Sequence, residues 1–539
     1  MGASSSTQQN VSSEQKQLEN LAASTGALPT LQSAFSQLAD PLTNAIPIHS
    51  LQQCFSLNYK NLIWEAPVKA DSFPGLLDHV GSAIVDLFFV PEKGGLSWVE
   101  FVRGYVKCCG RMPSSMLLNT LLRVFAATVT RAGLTLNLEF ESNDADCKIS
   151  GSLLPVHVLM ILMTCWTLSW DARTLSISKG NADICLPDVN ELVLSAVVSC
   201  TEVGSDLDVW DCNILDLKAQ LPATKFLSWA LTTVPTLADC FTCFVHARLQ
   251  KCVPSEDVSG PPTLSPGEIP STTAHDTYLL SRGRAWAISL TFRNPLSEEI
   301  LKIYCPNESD RPEENLLYRS SLHGRGLNRF WSNIEGYHGP LLMLVSANSG
   351  DGHEGDTSVR KWIIGAFTQL GFENKDVFYG SSGTLYAISP VFHAFSASGK
   401  EKNFVYSHLH PTGRVYEPHP KAVGIAFGGT IGNERIFIDE DFAKITIRHH
   451  ATDKTYQPGS LIPHQGFLPA DALISGVEVW GLGGKTARQI QTSYKKREEL
   501  FTDQRRKVDM KTFASWDDSP EKMMMDMISN PNSVRREDR

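Results

Sequence analysis

Gly380-Ser381-Ser382-Gly383-Thr384-Leu385-Tyr386-Ala387-Ile388 is a glycine-bounded turn that runs into a short apolar and aromatic alternation. The same texture recurs through the C-terminal third of the chain. Leu341–Val345 and Arg435-Ile436-Phe437-Ile438-Asp439 are brief strand-like runs bounded by Gly, Asn or Asp, the pattern of antiparallel strands and their turns. Helical periodicity around Arg360–Leu370 predicts a helix laid against these strands.

Working outward, the 539 residues exceed what one core organises, so several domains are expected. Residues 1–30 are dominated by Ser, Thr, Gln and Gly and are expected to be disordered. From 31 to 252 apolar residues recur three and four apart, as in Leu117, Leu121, Val124 and Phe125, which predicts helices. Residues 253–275 are rich in Pro, Ser and Gly and read as a linker. Beyond 486 the chain becomes helical and highly charged.

Bulk properties exclude little but exclude it clearly. A net charge of −10 argues against a general nucleic-acid binder, which needs a basic face. Residues 1–30 lack the apolar core of a secretory signal, so the 12 cysteines are expected as reduced, packed thiols. Cys240-x-x-Cys243 has redox or zinc spacing but sits in an apolar helical run, with no second pair following. Leu153–Trp170 approaches membrane-span length, yet Pro155, His157 and Thr164 favour a buried core helix.

Pro91-Glu-Lys-Gly94-Gly-Leu96-Ser-Trp-Val-Glu100-Phe101 has the rear half of an EF-hand loop. With Gly94 as the turn glycine, Leu96 takes the bridge position and Glu100 the bidentate-carboxylate position. The front half fails, because Phe89, Pro91 and Lys93 offer no side-chain oxygen. An earlier candidate around Asp40–Leu51 places Ile46 at the bridge and Ser50 where the carboxylate belongs. Calcium needs six to eight oxygens, which these loops do not supply. A degenerate EF-hand pair retained as a helical interaction module is expected, with no metal.

The C-terminal motifs, in their order, resemble those of the TLDc domain. Tyr318-Arg-Ser-Ser-Leu-His323-Gly324 with Phe330-Trp331 matches the opening element, and Gly339-Pro340 the next strand's lead-in. Gly380, Gly383 and Tyr386 match the glycine turn, Phe427-Gly428-Gly429 the following turn, and Asp439 an acidic segment. Glu478-Val-Trp480-Gly481-Leu closes the series. The resemblance covers 276–486. It implies an α+β protein: a mainly α-helical, EF-hand-like N-terminal module, then an antiparallel two-sheet β-sandwich with flanking helices and a C-terminal helix over 487–539. One departure is the longer acidic loop Asn348–Asp356. Its Asp351, Glu354 and Asp356 suit a solvated loop better than a cation site, and Gly350-x-Gly352 is too short for a phosphate loop.

Chemistry in this block reads as architecture more than catalysis. His323, Glu478, Asp439 and Asp441 include an acid and a base. The preferred reading is that His323 turns the backbone, Trp480 packs in the core and Glu478 anchors a buried network. His408-x-His410 shares a strand face but lacks a third zinc ligand. Catalytic residues, metals and cofactors are all expected to be absent.

Two border features carry the functional expectation. Met1-Gly2-Ala3-Ser4-Ser5-Ser6 matches the myristoylation pattern, with Gly2 as acceptor. In the C-terminal helix, Ile490, Tyr494, Phe501 and Val508 fall near one face, with Lys495, Arg497 and Arg505 around it. Two readings stand for it: a solvated helix docked on its own domain, or one inserting between subunits of a partner. The combination resembles the lysosomal, mTOR-associated branch of TLDc proteins. That implies a non-enzymatic regulator, cytoplasmic and peripheral on the lysosomal or vacuolar membrane. Its expected partners are catalytic-sector subunits of the V-type proton ATPase, the membrane surface through the acyl chain, and TOR-pathway proteins. The alternative is an oxidative-stress protector with intrinsic chemistry.

Overall fold

The computed structural model describes residues 4–57, 59–67, 69–175, 182–201, 207–252, 278–293, 295–304, 312–349, 360–409 and 421–517, with a few positions between 522 and 528. Gly2, the expected linker 253–275, Asp351, Glu354, Asp356, His410 and the side chain of Val508 lie outside these residues.

The first described element is a helix, within the residues 1–30 expected to be disordered. Helix α1 (Ser4–Ser24) packs Leu18 and Ala22, four residues apart, against the helical core. Glu19 accepts a hydrogen bond from the Trp98 indole at 2.7 Å, and Glu14 pairs with Arg103 at 2.7 Å. These are contacts with residues some 80 positions away, so local composition, which is polar, does not reveal them.

Helices α2 (Leu28–Leu38) and α3 (Ile48–Phe55) form one helix–loop–helix. After β1 (Tyr59–Trp64) and α4 (Phe73–Leu77), α5 (Val80–Phe88) and α6 (Trp98–Cys109) form a second. Ile46 and Leu96 exchange both backbone hydrogen bonds, at 2.8 and 2.9 Å, which ties the two loops together in an EF-hand-like arrangement. Asn44 (φ 49°) and Gly94 (φ 57°) make the left-handed turn two residues before each bridge. Glu100 is spent internally: its Oε1 accepts from the Glu92 amide and its Oε2 from the Ser97 amide and hydroxyl, each at 2.7 Å. The carboxylate that would grip calcium serves as the capping box of α6. No metal-binding cluster of His, Cys, Asp or Glu occurs among the described residues.

Helix α7 (Ser114–Arg131) is followed by strands β2 (Asn137–Phe140) and β3 (Ile149–Leu153), then by α8 (Pro155–Thr174). Every residue from Val158 to Leu168 is buried, which makes α8 the expected core helix, and none of the described helices is long and apolar enough to cross a membrane. Strand β4 (Ala182–Leu186) pairs parallel with β1. After α9 (Asn190–Cys200), β5 (Leu221–Pro222) joins β2 and β3 in a small antiparallel sheet. Helices α10 (Ala223–Thr233), α11 (Asp239–Lys251), α12 (Arg282–Ser289) and α13 (Leu296–Lys302) complete the helical layer.

The strands after it are β6 (Leu316–Arg319), β7 (Leu341–Ser349), β8 (Arg360–Thr368), β9 (Lys375–Tyr379), β10 (Gly383–Ser389), β11 (His393–Ser396), β12 (Val405–His408), β13 (Gly424–Thr430), β14 (Asn433–Asp439), β15 (Lys444–Ile447) and β16 (Ala470–Gly481). Short helices α14 (Ser320–His323) and α15 (Leu327–Ile334) lie between β6 and β7. The α+β class holds, but the two expected sheets are one curled eleven-stranded sheet in the order β11-β10-β8-β7-β16-β15-β14-β13-β12-β9, with β6 on β16. The 12-residue β16 makes the handover: Ala472 pairs with Ile445 of β15, and Val477 with Val345 of β7. The helix expected at 360–370 is instead strand β8. Trp362 to Thr368 is buried on both faces, so the apolar run is continuous and loses the alternation that marks a half-buried strand.

Both faces of the central strands are covered by different layers. Met343, Val345, Ile364 and Leu385 meet Ile425, Phe427, Ile436 and Ile445 inside the curl. Leu342, Leu344, Phe367, Tyr386 and Ile388 point the other way and share one core with the helical module. Phe292 packs on Phe367 at 4.6 Å between ring centres, and the Tyr386 hydroxyl meets Thr291 at 2.9 Å. Helices and sheet are therefore held together by a single hydrophobic cluster.

Candidate functional site

The last element, α16 (Gly484–Asp517), leaves β16 after Leu482 and is long because nothing beyond Gly484 breaks it: the sequence is rich in Lys, Arg, Gln and Glu and free of proline. Its first segment is built into the domain. Ala487 and Gln491, four apart, are buried. Gln491 Nε2 donates to the carbonyls of Asn333 (2.9 Å) and Glu335 (3.3 Å), and Lys495 Nζ to Asn333 (3.0 Å). Those carbonyls lie at the C-terminal end of α15, where helix carbonyls have no partner within the helix and favour a cation. Arg488 adds bonds to the carbonyls of Glu314 (2.7 Å) and Leu316 (2.9 Å), and the Tyr494 hydroxyl donates to Glu335 at 3.1 Å. Burial lowers the pKa of Lys495, with neighbouring Arg488 adding to the effect.

Beyond Lys495 the helix changes role. Every residue from Lys496 to Lys507 is exposed, including Leu500 (63%) and Phe501 (60%). At 3.6 residues per turn, Ile490, Arg497 and Phe501 lie within about 20° of one line along the helix, and Ile490 is itself 49% exposed. The seven residues singled out in the sequence thus divide. Tyr494 and Lys495 face the domain, Ile490, Arg497, Phe501 and Arg505 face outward, and Val508 belongs to α16 with its side chain outside the described residues. The docked reading holds for the first segment, and the second segment is solvent-exposed. Leu500, outside the periodic stripe, was missed; its exposure is visible only once the docked turns are known.

The motif residues of the sheet behave as framework. Glu478, 1% exposed, accepts from the amides of Leu279 (2.9 Å) and Leu280 (3.3 Å) and from the Trp480 indole (3.1 Å), with Arg319 Nε at 3.4 Å. Burial raises its pKa, and those donors and Arg319 act against the rise. It ties the segment leading into α12 onto the sheet. His323 Nδ1 accepts from the Arg319 amide at 2.9 Å, its ring stacks on Tyr318, and burial lowers its pKa. The Tyr318 hydroxyl donates to the Gly324 carbonyl at 2.7 Å, and Asp439 accepts from the Ala443 amide at 2.8 Å. His323, Glu478 and Asp439 are thus engaged by backbone groups, while Asp441 is exposed. Gly380 and Gly383 lead into β10, where Tyr386 is fully buried. Phe427 lies in the core of the curl. Gly429 (φ 82°) follows Gly428, and a side chain on it would come within 2.2 Å of the Asn433 carbonyl, so the β13–β14 turn requires glycine there. Gly481 abuts the Tyr337 ring.

A buried pair that the sequence reading did not single out sits in the same half of the sheet. Arg435 and Asp453, 0% and 1% exposed at their side chains, pair at 2.9 Å. The guanidinium also donates to the carbonyls of Gln457 (2.6 Å) and Gly459 (2.8 Å) and lies over the Phe395 ring. Among the described thiols, Cys240 is buried and Cys243 exposed on α11, with no metal cluster around them.

The family model for the TLDc domain matches residues 294–483, inside the 276–486 expected. A curated relative from Pyricularia oryzae (strain 70-15), restriction of telomere capping protein 5, is 23% identical over 430 residues, 69% of this chain and 65% of the relative. The chain spans about two thirds of the length of that relative. A TLDc domain points to a regulatory or oxidative-stress-related role. Residues 294–483 are therefore a TLDc domain, fused through a shared core to an EF-hand-like helical module.

Proposed function

We propose that this protein is a non-enzymatic regulatory adaptor on the cytosolic face of the lysosome or vacuole. In this reading it binds the catalytic sector of the V-type proton ATPase through its TLDc domain and α16, and links that binding to TOR signalling. One observation carries the reading: α16 is clamped by residues 487–495 and then offers 496–507 wholly to solvent, with Leu500 and Phe501 among mixed charges. A helix held at one end, with Leu500 and Phe501 adjacent on an otherwise charged free segment, suits insertion into a groove between partner subunits. The occupation of His323, Glu478 and Asp439 by backbone supports a role without catalysis. Acylation of Gly2 would supply a membrane contact that is marginal alone, so a protein partner would provide the second.

The test compares the full chain with a chain ending after Lys495, each used to capture ATPase from solubilised membranes. Recovery of catalytic-sector subunits by the full chain, reduced at least ten-fold by the truncation, is expected. Equal recovery would move the interface off α16, and no recovery by either chain would refute the ATPase as partner.

A further inference from the structure

The sulfurs of Cys54 and Cys252 lie 3.2 Å apart, although the residues are 198 positions apart in sequence. Cys54 lies in the last turn of α3 of the EF-hand-like pair, and Cys252 is at the C-cap of α11, the last described residue before position 278. One carbonyl gathers them: Arg248 O lies 3.6 Å from Cys54 Sγ and 3.5 Å from Cys252 Sγ, within reach of either thiol proton. That carbonyl is fixed because the Arg248 side chain is locked to buried Asp171, with Nε to Oδ2 at 2.8 Å. Cys54 and Cys252 are partly exposed residues, whereas Cys108, Cys109, Cys165 and Cys240 are buried. A small oxidant therefore has access to this pair that it lacks at the core thiols.

The surroundings distinguish the two sulfurs. Hydrogen bonding from Cys54 holds the Cys252 thiol below its ordinary value against the effect of burial, and the charges of Arg248 and Lys251 add to this. The helix C-terminus opposes a thiolate there, and those two cations offset it. The same hydrogen bond and burial push Cys54 up. Cys252 is therefore the thiol favoured to react first, with the Cys54 sulfur 3.2 Å away to resolve it.

We propose that Cys54 and Cys252 are an oxidation site that forms a reversible intramolecular disulfide with hydrogen peroxide as oxidant. The Cys252 thiolate attacks one peroxide oxygen; the O–O bond breaks, hydroxide leaves and a sulfenic acid forms. Cys54 sulfur then attacks the Cys252 sulfur, the S–O bond breaks, and the Cys54 proton leaves with the hydroxyl as water. Two thiols are oxidised and one peroxide is reduced to two waters. The sulfurs close from 3.2 Å to about 2.05 Å. The bond joins α3 to the end of α11 and closes residues 54–252 into one covalent loop. This inference is independent of the ATPase reading.

Full-length reduced protein is exposed to stepped hydrogen peroxide, alkylated, digested without reductant and analysed by mass spectrometry. A Cys54–Cys252 cross-linked peptide is expected, with at least a five-fold loss of alkylation at both positions, reversed by dithiothreitol. Cys54→Ser is expected to leave a sulfenic acid on Cys252 that dimedone traps, and Cys252→Ser to abolish the cross-link. Continued alkylation of both thiols at a dose that oxidises exposed Cys243 would overturn the proposal. So would pairing of either cysteine between chains in place of the internal bond.

Discussion

The ring of Tyr494 occupies the space that a side chain on Gly336 would need: a methyl there would sit 2.4 Å from Tyr494 Cδ1. Gly336 also has φ +78°, a conformation that costs other residues about 1–2 kcal/mol. Gly336→Ala is therefore expected to strain the turn after α15 and loosen the clamp on α16. Limited proteolysis within 488–500 should accelerate several-fold, with the sheet intact by circular dichroism. Unchanged cleavage would show that Tyr494 does not seat the helix.

Glu478 is expected to act through the fold alone. In Glu478→Gln one acceptor oxygen becomes an N–H donor facing the donors at Leu279, Leu280 and Trp480. A loss of about 2–3 kcal/mol is expected, read by denaturant unfolding, with faster amide exchange at Leu279 and Leu280. Full stability in this variant would contradict an anchoring role.

The Arg435–Asp453 pair gives the protein an acid limb. Burial alone would raise the Asp453 pKa; His450, the amides of Tyr456 and Thr455, and Arg435 overcome this and hold it at about 2. The unfolded value is about 3.9. A depressed carboxylate contributes stability that is present above the unfolded value and lost as pH falls through the folded one. About 2 kcal/mol should therefore disappear between roughly pH 4 and pH 2. Asp453→Asn should be less stable at neutral pH and show a shallower decline over that range. Parallel curves for the two proteins would exclude the pair as the source.

Calcium should leave the helical module unchanged. Calorimetric titration of the full chain is expected to show no saturable micromolar heat. Glu100→Ala should lower stability by about 1 kcal/mol through loss of the capping box. A saturable calcium isotherm abolished by that substitution would reverse the assignment of Glu100.

The sequence carried those features whose signals are local. Ile46, Leu96 and Gly94 were placed correctly because EF-hand spacing survives even when the ligands are lost. The buried helix α8 was legible for the same reason, since its apolar run opens on Pro155 and carries His157 and Thr164 within it. What was missed is tertiary. α1 is ordered by Trp98 and Arg103, and β8 reads as helix because both its faces are covered. The split of α16 at Lys495 depends on the carbonyls of Asn333 and Glu335, which the helix's own periodicity does not contain. The continuity of the sheet through β16 likewise lies in pairing, with β15 at one end and β7 at the other.

Leu500→Asp with Phe501→Asp tests most directly the proposal that the exposed segment of α16 binds the partner. Both side chains are more than half exposed, so the double variant should fold and melt as the parent does. Its affinity for the solubilised V-type ATPase catalytic sector, measured by surface-captured titration against the parent chain, should fall at least ten-fold. Equal affinity in the parent and the double variant would contradict the account.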